Sequence, residues 1–142
     1  MPELKRTVFY ERHVRAGAQM VEFGGWDMPV MYPGGIIEEH LATRKGAGLF
    51  DVSHMGRFFF HGPGAVAFLQ HALSNNAQAL DPRYKGAQYT FIPNPQGGAV
   101  DDAYLYRFTD DEYLLVVNAS NRDKDWAHLQ ALLDGFSGVS MV

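Results

Sequence analysis

Two adjacent aspartates, Asp101 and Asp102, are the residues of this sequence best suited to chemistry, and they follow a glycine pair at residues 97–98. A strand places successive side chains on opposite faces, so we expect the two carboxylates not to serve one site together. Asp102 shares its face with Tyr104, whereas Asp101 shares its face with Leu105. An ionised carboxylate in a partly apolar setting is costly without a partner. One of the two therefore either anchors N–H groups of a ligand or caps the glycine turn through the local backbone.

Three further side chains could support a binding site. His54 could transfer a proton near neutral pH, or it could be hydrogen-bonded at a domain junction. Met55 could belong to an ordinary core or form a soft apolar floor under a flat ring. Tyr89 could stack on a ligand, donate a hydrogen bond or simply pack. No other histidine has metal-like spacing to a carboxylate or another histidine, so no metal site is predicted.

The elements that must position these residues follow from the hydrophobic pattern. Helices are predicted over the first fifteen residues and over residues 36–45, 65–73 and 121–133, with Ser120 and Asp123 forming a capping box for the last. Strands are predicted over residues 20–23, 28–31, 49–53, 56–61, 87–92, 99–107 and 113–118. From residue 56 onward this order predicts an α+β fold, an antiparallel sheet with helices packed on one face. Residues 134–142 are predicted to enter a strand whose partner is missing.

Composition narrows the classes of function. The 142 residues are 46% hydrophobic and 13% aromatic, which is typical of a folded domain. A net charge of −4 offers no electrostatic footprint for nucleic acid and no basic patch for a membrane. There is no cysteine, no secretory h-region and no apolar run as long as a membrane span. We therefore predict a cytoplasmic protein that binds neither nucleic acid nor membranes.

A series of ordered motifs covers nearly the whole chain. They are FGGWDMPV at residues 23–30, IEEH at 37–40, RKGAGLFDVSHMG at 44–56, QYT at 88–90, GGAVDD at 97–102 and VVNA at 116–119. In this order they resemble the amino-terminal part of the glycine-cleavage T-protein, a family of tetrahydrofolate-dependent aminomethyltransferases. The resemblance implies an incomplete first part at residues 1–53 and a folate-binding α+β portion at residues 54–142. It also implies that the chain is an amino-terminal fragment of a longer protein.

The same resemblance implies a reaction and a set of site residues. Such proteins transfer an aminomethyl group from the lipoyl arm of the H-protein to tetrahydrofolate, releasing ammonia and forming 5,10-methylenetetrahydrofolate. The second aspartate of the GGxxDD motif, here Asp102, is implied to hold the pterin by charge-assisted hydrogen bonds. Met55, Tyr89 and Tyr104 are implied to line the pterin pocket, with Asn118 nearby.

Other functions remain open on the sequence. The chain could be a non-enzymatic folate-binding relative that supports iron–sulfur cluster assembly, or part of an oxidase or dehydrogenase acting on N-methylated glycines. It could also be a stand-alone remnant without catalysis. Because the family places further folate-site residues beyond this stretch, we expect the isolated chain to show weak or no activity. Exposed apolar surface is then expected to favour self-association.

Overall fold

Two separate sheets organise residues 3–142, the part of the chain that the computed structural model describes. One compact unit ends at His54 and the other covers Met55–Val142. Each unit contains its own sheet and its own helices, and together they confirm the predicted α+β class. No helix within the described residues is long and apolar enough to cross a membrane.

The first unit is built around a three-stranded sheet. Its elements are β1 (Lys5–Arg6), α1 (Tyr10–Arg15), β2 (Gln19–Phe23), β3 (Trp26–Met31) and α2 (Gly35–Lys45). The strand order is β1-β3-β2, with β1 parallel and β2 antiparallel to β3. Gly24 and Gly25 join β2 to β3 with φ angles of 57° and 86°. Two successive residues with positive φ are what a tight hairpin turn requires, which explains the glycine pair there.

Several predictions for this unit are confirmed and two are wrong. The two hairpin strands and the helix at residues 36–45 are present with slightly wider bounds. The first helix is confined to Tyr10–Arg15, because Lys5–Arg6 pairs with β3 instead; residues 1–2 of that prediction lie outside the described part. The strand expected at residues 49–53 does not form, and Leu49 and Phe50 are exposed.

The second unit contains a five-stranded antiparallel sheet. Its elements are β4 (Gly56–His61), α3 (Ala65–Ala72), a 3-10 turn (Ala77–Ala79), β5 (Ala87–Pro93), β6 (Ala99–Arg107), β7 (Glu112–Val117), α4 (Arg122–Leu133) and β8 (Ser140–Met141). The strand order is β5-β6-β7-β4-β8. The predicted strands and helices are confirmed here to within one or two residues. Their sequence order also matches the predicted order of elements.

Burial alternates along these strands, so the sheet has one covered and one open face. Residues such as Phe60, Leu105 and Leu115 are fully buried, together with Phe68 of α3 and Leu129 of α4. Helices α3 and α4 therefore cover this face, as the sequence predicts. The alternate residues of β5 and β6 form the other face, and their aromatic side chains remain partly exposed.

Two predictions about the ends of elements are corrected. Helix α4 begins after Asn121, so its N-cap is one residue later than the predicted Ser120, and the Asn121 side chain makes no capping hydrogen bond. The strand near the carboxyl end does have a partner. Ser140 and Met141 pair with the end of β4, a strand about eighty residues earlier in the sequence. A pairing at such a separation is not visible in a local pattern, which is why the partner was expected to be missing.

Candidate functional site

The candidate site lies at one end of the second sheet, where three neighbouring strands place polar or soft side chains. Val117 is the last residue of β7 and pairs both with Ala103 of β6 and with Gly56 of β4. One residue beyond these pairs lie Asp102 on β6, Asn118 just after β7 and Met55 just before β4. The sheet register thus brings these three predicted site residues to the same end of the sheet.

Asp102 is half-buried and both of its carboxylate oxygens accept hydrogen bonds. The Tyr89 hydroxyl donates to Oδ2, and the Asn118 side-chain amide donates to Oδ1 at 2.9 Å. This bond to Asp102 is the main cause of the raised pKa of Tyr89, which keeps the hydroxyl a donor. Tyr89 pairs directly with Tyr104 across β5 and β6, and their side chains remain 51% and 40% exposed. Asp102 therefore lies beside an accessible aromatic surface.

Asp101 points to the covered face and is 8% exposed. Its Oδ1 accepts hydrogen bonds from the side-chain amides of Asn118 and Asn121, each at 3.0 Å. Burial raises the pKa of the Asp101 carboxyl, but hydrogen bonds from Asn118, Asp125 and Asn121 outweigh burial and hold it below its usual value. Asp101 is thus held as a buried carboxylate by uncharged donors.

One side chain connects the two aspartates. Their carboxylates lie on opposite faces of β6, as predicted, but the Nδ2 atom of Asn118 is within hydrogen-bonding distance of Oδ1 of both Asp101 and Asp102. Asn118 follows the last paired residue of β7, where its side chain is no longer confined to one face. The end of the ladder therefore joins the two carboxylates into one network.

The glycine turn before β6 does not depend on either aspartate. Oδ1 of Asn94 accepts from the backbone N–H groups of Gln96 at 3.0 Å and Gly98 at 2.8 Å. The alternative that an aspartate caps this turn is therefore wrong. The two carboxylates are left for the network described above.

His54 belongs to the first unit, where its ring packs edge-on against Phe23 and Trp26 with ring centroids 5.9 and 6.5 Å away. Its Nδ1 atom is buried and has no hydrogen-bond partner among the described residues. The suggested hydrogen bond of His54 is thus not observed at its Nδ1 atom. In the described part of the chain, no group of three or more His, Cys, Asp or Glu side chains could hold a metal ion.

Two residues of the network, Asn121 and Asp125, were not assigned a role from the sequence. Asp125 is fully buried on α4, and neither of its carboxylate oxygens has a hydrogen-bond donor in the described residues. Burial, followed by the adjacent Asp101, raises the pKa of Asp125 to about 7. The four-residue spacing between Asn121 and Asp125 places both on one side of the helix, and this is the signal that could have identified them.

The fold and site define an α+β domain whose open, aromatic sheet face carries a carboxylate held by neutral donors. Comparison with known proteins specifies the family. The chain matches the GCVT N-terminal domain over residues 9–142. It therefore belongs to the GCVT N-terminal domain family, which confirms the resemblance to the glycine-cleavage T-protein.

Its relatives are aminomethyltransferases. The chain is 58% identical over 138 residues to the aminomethyltransferase of Deinococcus deserti, covering 97% of this chain and 38% of that protein. It is 54% identical over 133 residues to the aminomethyltransferase of Thermus thermophilus, covering 94% and 37%. The crystal structure of glycine cleavage system aminomethyltransferase T from Bartonella henselae superimposes with a TM-score of 0.90 at 40% identity, covering 99% of this chain and 38% of that one. The chain thus spans less than two-fifths of the length of these relatives.

Proposed function

We propose that this chain holds the pterin end of tetrahydrofolate in an aminomethyltransferase, with Asp102 as the anchoring carboxylate. The observation that supports this most directly is the placement of Asp102 on an open aromatic face, between the donors Tyr89 and Asn118. The aminomethyltransferase relatives support the reaction class.

The chemistry of this surface suits a flat ring that carries N–H groups. Phe91 pairs directly with Asp102 and is 47% exposed, and the ring of Tyr104 lies 5.1 Å from that of Tyr106. Aromatic rings offer stacking surface, and a carboxylate accepts charge-assisted hydrogen bonds from adjacent N–H donors. Met55, half-buried at the same end of the sheet, adds a soft apolar side chain. We propose that these residues line the pterin pocket.

In the proposed reaction the residues of this chain act by positioning. Tetrahydrofolate, the second substrate, supplies two nitrogens, N5 and N10, which each form a bond to the methylene carbon as its bonds to the lipoyl sulfur of the H-protein and to the amino nitrogen break. The protons of the two N–H groups leave with the lipoyl thiol and with ammonia. Tyr89 and Asn118 fix the Asp102 carboxylate from two sides, so that the orientation of a ring bound to it is set in advance. Orientation of the bound ring lowers the entropic part of the activation barrier, because the reacting atoms do not have to reach the right geometry by a free encounter.

Binding of tetrahydrofolate to the chain and to its Asp102→Asn variant tests this proposal. The substitution keeps the size of the side chain but removes its charge, and a hydrogen bond to a charged group contributes about 1.5–3 kcal/mol. We expect the dissociation constant from isothermal titration calorimetry to rise about 10- to 100-fold. Asp111→Asn, in the exposed turn between β6 and β7, is the matched control. Equal affinities for the two variants would contradict the assignment of Asp102.

Transfer itself is tested with the lipoylated, aminomethyl-carrying H-protein and tetrahydrofolate, with ammonia release as the measurement. Since the chain spans only 38% of its Deinococcus deserti relative, we expect the chain alone to bind weakly and to transfer slowly. Folate binding with no transfer, even in a protein of the relatives' full length, would favour the non-enzymatic alternative. We also propose that the open aromatic face supports self-association, which sedimentation at increasing concentration measures.

A further inference from the structure

Beneath the proposed folate anchor, two buried carboxyl groups are neighbours. Asp125 lies one turn beyond Asn121 on α4 and donates its backbone N–H to the Asn121 carbonyl at 2.9 Å, while the Asn121 side chain donates to Oδ1 of Asp101 at 3.0 Å. Asp125 and Asp101 are 0% and 8% exposed. Within the described residues, no donor group reaches either oxygen of Asp125 or Oδ2 of Asp101. Two ionised carboxylates cannot bond to each other, because both only accept. A hydrogen bond between the two carboxyl groups therefore requires one proton, shared by the pair or held by one member.

The surroundings of the two groups decide which one carries the proton. Asp101 accepts N–H groups from Asn118, Asn121 and the backbone of Asp102, and these donors favour its ionised form. Asp125 has no such donors and is the more deeply buried of the two. Burial without donors favours the neutral acid. Asp125 thus holds the proton, and Oδ2 of Asp101 receives it as a hydrogen bond.

We propose that Asp125 is a positioning residue, a neutral carboxylic acid whose hydrogen bond fixes Asp101 and, through Asp101, holds the Asn118 amide against Asp102. Its consequence for ligand affinity rests on the proposed function. The assignment of the proton and of the amide orientation does not, because it concerns only side chains of this chain. Asp125 touches no ligand in this scheme, so its effect passes through Asp101 and Asn118.

The charges around Asp125 make this arrangement sensitive to pH. Asp101 and Asp102 face it from β6, and both oppose its ionisation. Lys124 on its own helix favours ionisation, although its ammonium group donates to the backbone oxygen of Val100 at 2.6 Å. Once pH exceeds about 7, Asp125 loses its proton and the bond to Asp101 is lost. Two adjacent negative charges then compete for the same amide donors.

Two variants of similar size separate the hydrogen bond from packing. Asp125→Asn keeps a neutral donor in place of the acid, whereas Asp125→Leu keeps the volume and removes the donor. We expect carboxyl carbon NMR of the unaltered chain to show Asp125 titrating near 7. The Asn118 side-chain amide signals should be preserved in Asp125→Asn and shifted in Asp125→Leu. Tetrahydrofolate affinity should change by less than about twofold in the first variant and fall about tenfold in the second.

The pH profile provides the second test. Above pH 7 the unaltered chain should lose affinity and show moved Asn118 amide signals, whereas Asp125→Asn should remain constant. An Asp125 carboxyl that titrates near the usual value of about 4 would overturn the proposal. Identical Asn118 signals in the Asn and Leu variants would also overturn it. If Asp125→Leu does not fold, the pH profile of Asp125→Asn is the deciding test. Constant affinity above pH 7 supports the proposal, and a loss equal to that of the unaltered chain overturns it.

These NMR measurements need no ligand. If the unaltered chain binds no tetrahydrofolate, the proposed function is contradicted. The NMR titration of Asp125 and the Asn118 amide signals would still test the role of Asp125.

Discussion

Replacing Asp51 with alanine should lower the free energy of unfolding more than replacing an exposed aspartate with alanine does. The Asp51 carboxylate accepts hydrogen bonds from Nε2 of His13 at 2.8 Å and from the backbone of Ser53 at 2.9 Å. Nδ1 of His13 in turn lies 2.7 Å from the Tyr32 hydroxyl. The side chains of His13 and Asp51 are only 11% and 4% exposed. The carboxylate thus connects α1 to the segment that follows α2.

The magnitude follows from this burial. Removing one partner of a buried hydrogen bond leaves the other without compensation and costs about 1–3 kcal/mol, with the larger values where a charged group such as the Asp51 carboxylate takes part. Asp51→Ala leaves the His13 ring buried without an acceptor at Nε2, so we expect a loss near 3 kcal/mol. Asp81→Ala is the matched control, since Asp81 also accepts from a nearby backbone N–H and from Arg83. Those two side chains are 35% and 78% exposed, so that loss should stay below about 1 kcal/mol.

Urea unfolding combined with hydrogen exchange, at the β3 amides for Asp51→Ala and at the β6 amides for Asp81→Ala, measures both losses. The Asp51 carboxylate should also make the stability of the first unit depend on pH. Burial would raise the pKa of Asp51, but hydrogen bonds from His13 and Ser53 hold it well below its usual value. Because the folded pKa is lowered, the unfolded chain takes up this proton first as pH falls. The stabilisation is present above about pH 4 and is lost below it. Equal losses for Asp51→Ala and Asp81→Ala, or equal acid sensitivity of Asp51→Ala and the unaltered chain, would refute this reasoning.

Three further substitutions test the second unit. Gly62→Ala should cost more than about 2 kcal/mol in denaturant unfolding, because φ is +113° and the new Cβ would lie 2.3 Å from the carbonyl oxygen of Gly138. Gly25→Ala, with positive φ but open space, should cost less, and equal losses would contradict the steric argument. Leu129→Ala should cost about 2–5 kcal/mol by the same measurement, since the side chain is fully buried; a loss below 1 would contradict its role in the core. Tyr89→Phe removes one hydrogen bond at a half-exposed ring and should weaken tetrahydrofolate binding about fivefold without changing the melting temperature. Unchanged affinity would contradict the role of Tyr89 in holding Asp102.

The parts of the fold that local patterns specify were predictable. Strands β4 and β6 match their predicted bounds, since alternating burial and flanking glycines mark them in the sequence. The failures concern pairing between distant residues. The segment 49–53, with Leu49, Phe50 and Val52, has the pattern of a strand, yet within the described residues no strand pairs with it. Conversely, Lys5–Arg6 carries no apolar pattern and becomes a strand only because β3 offers a parallel edge.

The candidate site divides in the same way. The period of two along β6 predicts that Asp102 and Tyr104 share a face, and the structure places both beside Tyr89. The roles that the resemblance implies for these residues stay predictions. What the sequence did not reveal is that Asn118 reaches both aspartates, since this depends on where the β6–β7 ladder ends. The contact with Asp125 depends on how a later helix packs against the sheet, which no local pattern encodes.

The network also explains why two adjacent aspartates can be kept at one end of a sheet. Across the described residues, no lysine or arginine forms an ion pair with either Asp101 or Asp102. Neutral groups donate hydrogen bonds to them instead, namely the amides of Asn118 and Asn121 and the Tyr89 hydroxyl. A cationic partner would cancel the charge of Asp102, whereas hydrogen bonds from neutral groups stabilise the charge and leave it uncancelled. The open face therefore presents a net negative group to whatever binds there. Such a group selects for a ring edge rich in N–H donors, which is the chemistry of the pterin that we propose as its ligand.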